Sequence, residues 1–436
     1  MKKYPKHKDS GVQWIGQIPE HWKIGKIKVL CDSIFAGATP STDNQEYWEG
    51  GSIPWIPSGC CHDCKINEAP KYITEAGLQN SSTKLIPANT TVMALTGATC
   101  AQLGYLTIEA CANQSVVAFV ENKQKADSRF LYYSLFAARE EILTHKSGGA
   151  QGGINQKDCR NTQIAVIPLF EQQAIVNYLD KKTGQIDKSI SLLETQKADL
   201  QAYRKAIISE TVTKGLNPNA KLKDSGIQWI GQIPEEWSVV KMKHLLDGTL
   251  TYGANEPAES DNKEWPRYIR ITDIAENGSL KESTFKSLSP DKAENYLLQK
   301  GDVLFARSGA TVGKTFLFEE NYPACFAGYL IKATPNKAKL NSKFLYFYTV
   351  SDAYESWKNS VYIKSTIQNI GADKYSLLPI SIPSLSEQEA IVAFVDQKTS
   401  AIDTAIERIN AQITELQAYR TALISEAVTG KIDVRP

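Results

Sequence analysis

The chain has 436 residues, 42% hydrophobic and 22% charged, with 49 Lys and Arg against 48 Asp and Glu. A single core stops growing near about 250–300 residues, so two or more domains are expected, and a net charge of +1 tells against a basic nucleic-acid binder acting alone. No run is apolar and long enough to span a bilayer, and the basic start "MKKYPKHKDSG" lacks the apolar stretch of a signal peptide, so a cytoplasmic protein is expected.

In chain order, "KDSGVQWIGQIPEHW" (Lys8–Trp22) comes first and returns as "KDSGIQWIGQIPEEW" (Lys223–Trp237), with Val12 becoming Ile227 and His21 becoming Glu236. The Gly- and Pro-rich loop "GATPSTDNQEYWEGGSIPWIPSG" (Gly37–Gly59) follows, and then "CCHDC" (Cys60, Cys61, His62, Cys64). A zinc site needs a second ligand pair at matching spacing, and Cys100 and Cys111 do not form one. This stretch reads as a loop with incidental thiols, and the eight cysteines read as free thiols of a reducing compartment. Further on, "TVMALTGAT" (Thr91–Thr99) returns as "VLFARSGAT" (Val303–Thr311), and "RFLYYSLF" (Arg129–Phe136) as "KFLYFYTV" (Lys343–Val350). "EQQAIVNYLDKKTGQID" (Glu171–Asp187) returns as "EQEAIVAFVDQKTSAID" (Glu387–Asp403), and "LQAYRKAIISETVT" (Leu200–Thr213) as "LQAYRTALISEAVT" (Leu416–Thr429). The offset stays between 212 and 216 residues, so the chain is two copies of one unit.

Each copy opens with a mixed pattern of loops, short apolar runs and one short helix, the mark of a compact α/β-type domain, at 1–170 and 216–386. Each copy ends in a proline-free stretch of helix formers, at 171–215 and 387–436. Leu179, Ile186, Leu193, Leu200 and Ile207 fall every seven residues, as do Val395, Ile402, Ile409, Leu416 and Leu423. That spacing predicts a coiled coil, with Ile175, Ile190 and Tyr203 widening the stripe. One amphipathic helix packed on its own domain would explain one stripe but not two matched ones. The expected fold is α+β, two such domains joined by two long antiparallel coiled-coil helices with a pseudo-two-fold internal repeat. A helix of this length is about 65 Å long, so a dumbbell with the domains at opposite ends is expected.

No catalytic constellation is present. "SGATVGKT" (Ser308–Thr315) is one residue short of a P-loop, and "TGATCAQLG" in the first copy has no lysine. "GGAQGG" (Gly148–Gly153) lacks the strand and helix of a dinucleotide fingerprint, and there is no HExxH or GxSxG. Two related domains at a fixed distance without chemistry suggest a bipartite target, such as DNA grooves about 34 Å or more apart.

The repeated opening, the Gly37–Gly59 loop, "GDVLFARSGATVGK" (Gly301–Lys314), the "EQ-AIV" helix starts and the "EAVTGKIDVR" ending resemble the specificity subunit of type I restriction-modification systems. The resemblance covers nearly the whole chain. It implies that each domain is a target recognition domain reading one half of a split, asymmetric double-stranded DNA site. It implies that the helices set the spacer and recruit two methyltransferase (modification) subunits that methylate adenine at N6, with restriction/translocase subunits joining them. It also implies that the chain is not catalytic and holds no cofactor or metal, S-adenosylmethionine, ATP and Mg being expected on the partner subunits. No (N/D)PP(Y/F) motif is present, in keeping with that.

Base reading needs Arg, Lys, amide and hydroxyl side chains at base edges and phosphates. In the first copy the candidates are Thr39, Ser41, Trp55, Ser58, Thr96, Thr99, Gln151 and Asn155. In the second they are Tyr252, Asn255, Arg267, Arg270, Arg307, Ser308, Lys314, Lys364, Ser365, Thr366 and Gln368. The arginine of "ARSGAT" stands as Leu95 in the first copy, a departure from that motif. Trp48, Trp55 and Trp265 are more readily explained by burial. The near-identical opening points to a job common to both copies. Trp14, Ile18, Pro19 and Trp22, with Trp229, Ile233, Pro234 and Trp237, are expected to anchor each domain at its helix or to face a partner subunit. The rival reading is a coiled-coil adaptor that presents two protein-binding domains and touches no DNA.

Overall fold

The computed structural model describes residues 2–148, 152–275, 278–309, 311–361 and 369–435, so Gln151, Lys364, Ser365, Thr366 and Gln368 lie outside the described residues. The chain forms two compact units, Met1–Leu193 with Asn410–Pro436, and Glu194–Ile409. That division cuts through both long helices.

These helices run from Leu169 to Lys214 and from Leu385 to Val428. Each starts just after a proline, Pro168 or Pro383, and contains none, as the N-terminal preference of proline requires. In the first unit Ile175, Leu179 and Ile186 of the first helix share a core with Leu423, Ile424 and Ala427 of the second. In the second unit Ile208 and Val212 share a core with Ile391, Val392 and Val395. The start of one helix meets the end of the other in each unit, so the pair is antiparallel. Leu179, Ile186, Val395, Ile402, Ile409 and Leu423 of the seven-residue stripe are buried, while Leu193, Leu200, Ile207 and Leu416 are half-buried. Near the helix ends the buried set shifts by one position, with Ile208 and Ile424 fully covered. A straight helix drifts by about 20° per heptad, and there it packs on a domain rather than only on its partner helix.

The first domain is built on a five-stranded sheet in the order Cys31–Ala36, Val116–Glu121, Thr90–Ala94, Leu103–Leu106 and Cys64–Ile66. Thr90–Ala94 is buried at all five positions, because the helix Ser128–Ala137 covers one face of the sheet and a second layer the other. That layer centres on Ile53–Ile56, paired in parallel with Cys111–Ala112 and antiparallel with Lys71–Ile73. The second domain repeats the frame. Its sheet runs Thr251–Tyr252, Leu330–Ala333, Val303–Ala306 and Thr315–Leu317, and Arg267–Ile269 pairs in parallel with Ala324–Phe326. Among the described residues it lacks counterparts of the outer strands Cys64–Ile66 and Lys71–Ile73.

Candidate functional site

The repeated phrases build the same junction in each unit. Asp9 and Asp224 accept from the backbone N–H of Gly11 and Gly226 at 2.9 and 3.0 Å, closing the "KDSG" turn. The short strand Gln17–Pro19 or Gln232–Pro234 follows, with Ile18, Pro19, Ile233 and Pro234 buried. Trp22 and Trp237 come next, nearly inaccessible, and donate Nε1–H to the first-turn carboxylates Glu171 and Glu387 at 3.1 Å in both units. Glu171 also accepts from the Tyr4 hydroxyl at 3.2 Å and lies 2.8 Å from His21 Nε2. Burial, with the facing Glu171 carboxylate second, raises the Tyr4 phenol far above its usual range, so it remains a donor. The next residue is a fully buried glutamine. Gln172 accepts from Asp127 N–H and donates to the carbonyls of Lys125 and Ile167, and Gln388 does the same with Asn341, Lys339 and Pro383. The "EQ" pair thus ties each long helix to the opening phrase through Glu and to the domain's short helix through Gln. The returning helix closes the junction, with Gly430 at φ +72° placed where a Cβ would strike Pro19 and Trp22. Trp14 and Trp229 are half-buried, and in both units the indole N–H is shielded with no partner among the described residues.

A second repeated frame lies in each domain at the end of the central strand. Leu95 N–H donates to Ser115 O at 2.8 Å, as Arg307 N–H donates to Tyr329 O at 3.0 Å. Ile154 N–H donates to Leu95 O, as Ile370 N–H donates to Arg307 O, and Thr96 bridges Gly153 as Ser308 bridges Asn369. Gly37 and Gly253 pass so close to a neighbouring strand that a Cβ would sit 2.1 Å from Ala112 O and 2.3 Å from Phe326 O. These shared bonds superimpose the two frames residue on residue. The side chains they carry differ. The first domain places Ala36, Leu95, Ser115 and Gly153 where the second places Tyr252, Arg307, Tyr329 and Asn369. Thr39, exposed, donates to Gln114 Oε1 at 2.6 Å. At the matching place Asn255 lies against Gly328, which has no room for a Cβ.

In the second domain Arg307 lies with Cζ 4.8 Å from the centre of the Tyr252 ring and Nε 3.5 Å from Asn369 Oδ1. Tyr252 and Tyr329 are 42% and 67% exposed, which marks a wet aromatic and basic patch rather than a core. A cleft of about 620 Å³ lined by Asn255, Arg270, Thr272 and Tyr329 opens beside it. The other two arginines of this domain are engaged internally. Arg267 is buried, bound to Glu282 Oε1 at 2.5 Å and to Lys281 O at 2.9 Å. Arg270 grips both oxygens of buried Asp273, at 2.7 and 3.0 Å, and reaches Thr284 O. Both were candidate DNA contacts by residue type, and the structure gives their guanidinium groups to the domain itself. Lys314 Nζ donates to Ile274 O at 2.9 Å, and Ser308 is half-buried.

In the first domain Ser41 is exposed and its carbonyl accepts from Trp48 Nε1, while Trp55 is buried and donates to Ala38 O. Trp48 and Trp55 pack edge to face at 5.2 Å, and Trp265 is 37% exposed. Thr99 Oγ1 donates to Ser58 O, Thr96 is half-buried, and Asn155 caps the helix Gln156–Asn161 by accepting from Asp158 N–H. Asn155 is thus engaged as a cap. Residue types had singled out neither Gln114, Tyr329 nor Asn369. The signal that finds Gln114 and Tyr329 is their lying beside "GAT" and "GAN", and Asn369 is found by its bridge to Ser308. Cys61 is buried, which pushes its thiol up to about 12, and no cluster arranged to hold a metal occurs among the described residues.

A family model described as the type I restriction modification DNA specificity domain matches residues 19–202 and again residues 234–415. The chain is 22% identical over 429 residues to the type I restriction enzyme MjaVIII specificity subunit of Methanocaldococcus jannaschii, covering 96% of this chain and 95% of that protein. It is 23% identical over 334 residues to the EcoBI specificity subunit of Escherichia coli, covering 74% and 69%. A solved chain described under complex assembly and conformational transition of a type I restriction-modification system matches with a TM-score of 0.70 at 17% identity, covering 95% of this chain and 99% of that one. That likeness concerns the fold. None of these matches favours the protein-only adaptor. No helix among the described residues is long and apolar enough to cross a membrane.

Proposed function

This chain belongs to the type I restriction modification DNA specificity family, and we propose that it is the non-catalytic subunit that selects the DNA site of such an enzyme. Each domain reads one half of an asymmetric, split duplex site, and the helix pair sets the spacing between the halves. Two modification subunits, carrying S-adenosylmethionine, dock on the duplicated scaffold and methylate adenine at N6. Restriction subunits bring ATP and Mg. The near-neutral charge then poses no difficulty, because the assembly as a whole steers DNA.

The observation that carries this reading is one backbone frame used twice with different side chains. A hydrogen-bonded frame holds position, whereas groups at base edges specify sequence. The scaffold residues repeat because both modification subunits are alike.

Methylome sequencing of cells carrying the complete system tests it. The expected result is one split motif with methylated adenine in both halves, whose spacer changes when seven residues are inserted into the first long helix. A single continuous motif, or a spacer indifferent to the insertion, would refute it.

A further inference from the structure

Resting on that DNA-reading role, we infer that Arg307 reads a guanine in the half-site of the second domain, donating in parallel to O6 and N7, with Tyr252 as its positioning residue. Three arginines lie in this domain, and two of them spend their donors on Glu282, Asp273 and backbone carbonyls. Arg307 does not. Among the described residues its guanidinium contacts are the Tyr252 ring face and, through Nε, Asn369 Oδ1, and both terminal nitrogens are left without a partner.

A guanidinium held over a ring face is attracted by the ring and keeps its remaining N–H groups free for other acceptors. The ring is itself held, since the Tyr252 hydroxyl accepts from Ala372 N–H at 3.0 Å. The backbone under Arg307 is fixed from both sides by Tyr329 O and Ile370 N–H. The result is a planar fork restrained by Tyr252 and Asn369 beside the exposed Tyr252 and Tyr329 rings. Guanine is the base that offers two adjacent acceptors to such a fork in the major groove. A phosphate offers two oxygens as well, but any sequence would then satisfy it. The first domain carries Leu95 at this place and has no such fork, so guanine at the corresponding position is required in one half-site.

The test uses the full chain assembled with its modification subunits and a duplex library randomised over both half-sites. The unaltered assembly selects guanine at one position of one half-site. Arg307→Ala lowers that preference by about ten- to a hundredfold and leaves the other half-site unchanged, which is also the control for folding. Arg307→Lys keeps the charge without the fork and does not restore the preference. Replacing the selected base by 7-deazaguanine weakens binding of the unaltered assembly but not of Arg307→Ala. Tyr252→Ala lowers the same preference, and Tyr252→Phe, which keeps the ring but loses its tie to Ala372, lowers it less. An Arg307→Ala assembly that loses affinity equally for all sequences makes Arg307 a phosphate contact and overturns the assignment, as does loss of preference for a base other than guanine. An unaltered assembly with no split preference overturns the DNA-reading role beneath it as well.

Discussion

The Arg204 guanidinium donates to both carboxylate oxygens of Asp403, at 2.9 and 3.3 Å, joining the two long helices within the second unit. In the first unit Arg420 Nε lies 3.1 Å from Asp187 Oδ1. The two pairs are the same pair, since Arg420 and Asp403 stand 216 residues after Arg204 and Asp187. An antiparallel pair of repeated helices makes this equivalence unavoidable. Asp403 is about half exposed, so the bond itself contributes little, about 0.2–1 kcal/mol. Its service is register. Arg204→Asp is expected to destabilise modestly, and the exchanged pair Arg204→Asp with Asp403→Arg to recover most of the loss, in a double-mutant cycle read by urea unfolding.

Glu171 and Glu387 hold equivalent places with unequal loads. Glu171→Ala strands the buried donors of Tyr4 and Trp22 and removes the acceptor beside His21, which is expected to cost about 2–4 kcal/mol. Glu387→Ala strands Trp237 and is expected to cost about 1–2 kcal/mol. Urea unfolding of the two variants should rank them in that order. Equal losses would show that the extra contacts of Glu171 add nothing.

Gly37→Ala and Gly253→Ala place a methyl within 2.1–2.3 Å of a backbone carbonyl, which neither strand can clear without moving. Each is expected to cost about 1–3 kcal/mol. Each should also impair selection at the half-site of its own domain while sparing the other. Methylation of paired substrates, each altered in one half, reads this directly.

Burial pushes the thiols of Cys31, Cys61, Cys159 and Cys325 up to about 12, so near pH 8 they carry almost no thiolate. Cys64 is exposed. Brief iodoacetamide treatment of the native protein at pH 8 is therefore expected to label Cys64 ahead of those four. Peptide mass spectrometry shows the order, which unfolding in urea should abolish.

The duplication, the two long helices and their antiparallel pairing were legible in the chain alone. Each is a matter of order or period along the chain, and period survives whatever the chain does elsewhere. It also separated the frame from the variable surface, because repeated and unrepeated residues can be told apart by comparing the copies. Residue type alone could not say which polar groups face outward. Arg267, Arg270 and Arg307 are alike in the sequence, yet Glu282 and Asp273 capture two of them and Tyr252, from a distant strand, props up the third. Folding made that choice. A guanidinium takes whichever acceptor the closed fold brings within about 3 Å; for Arg270 and Arg267 a nearby turn brings it, and for Arg307 the strand pairing brings Tyr252 instead.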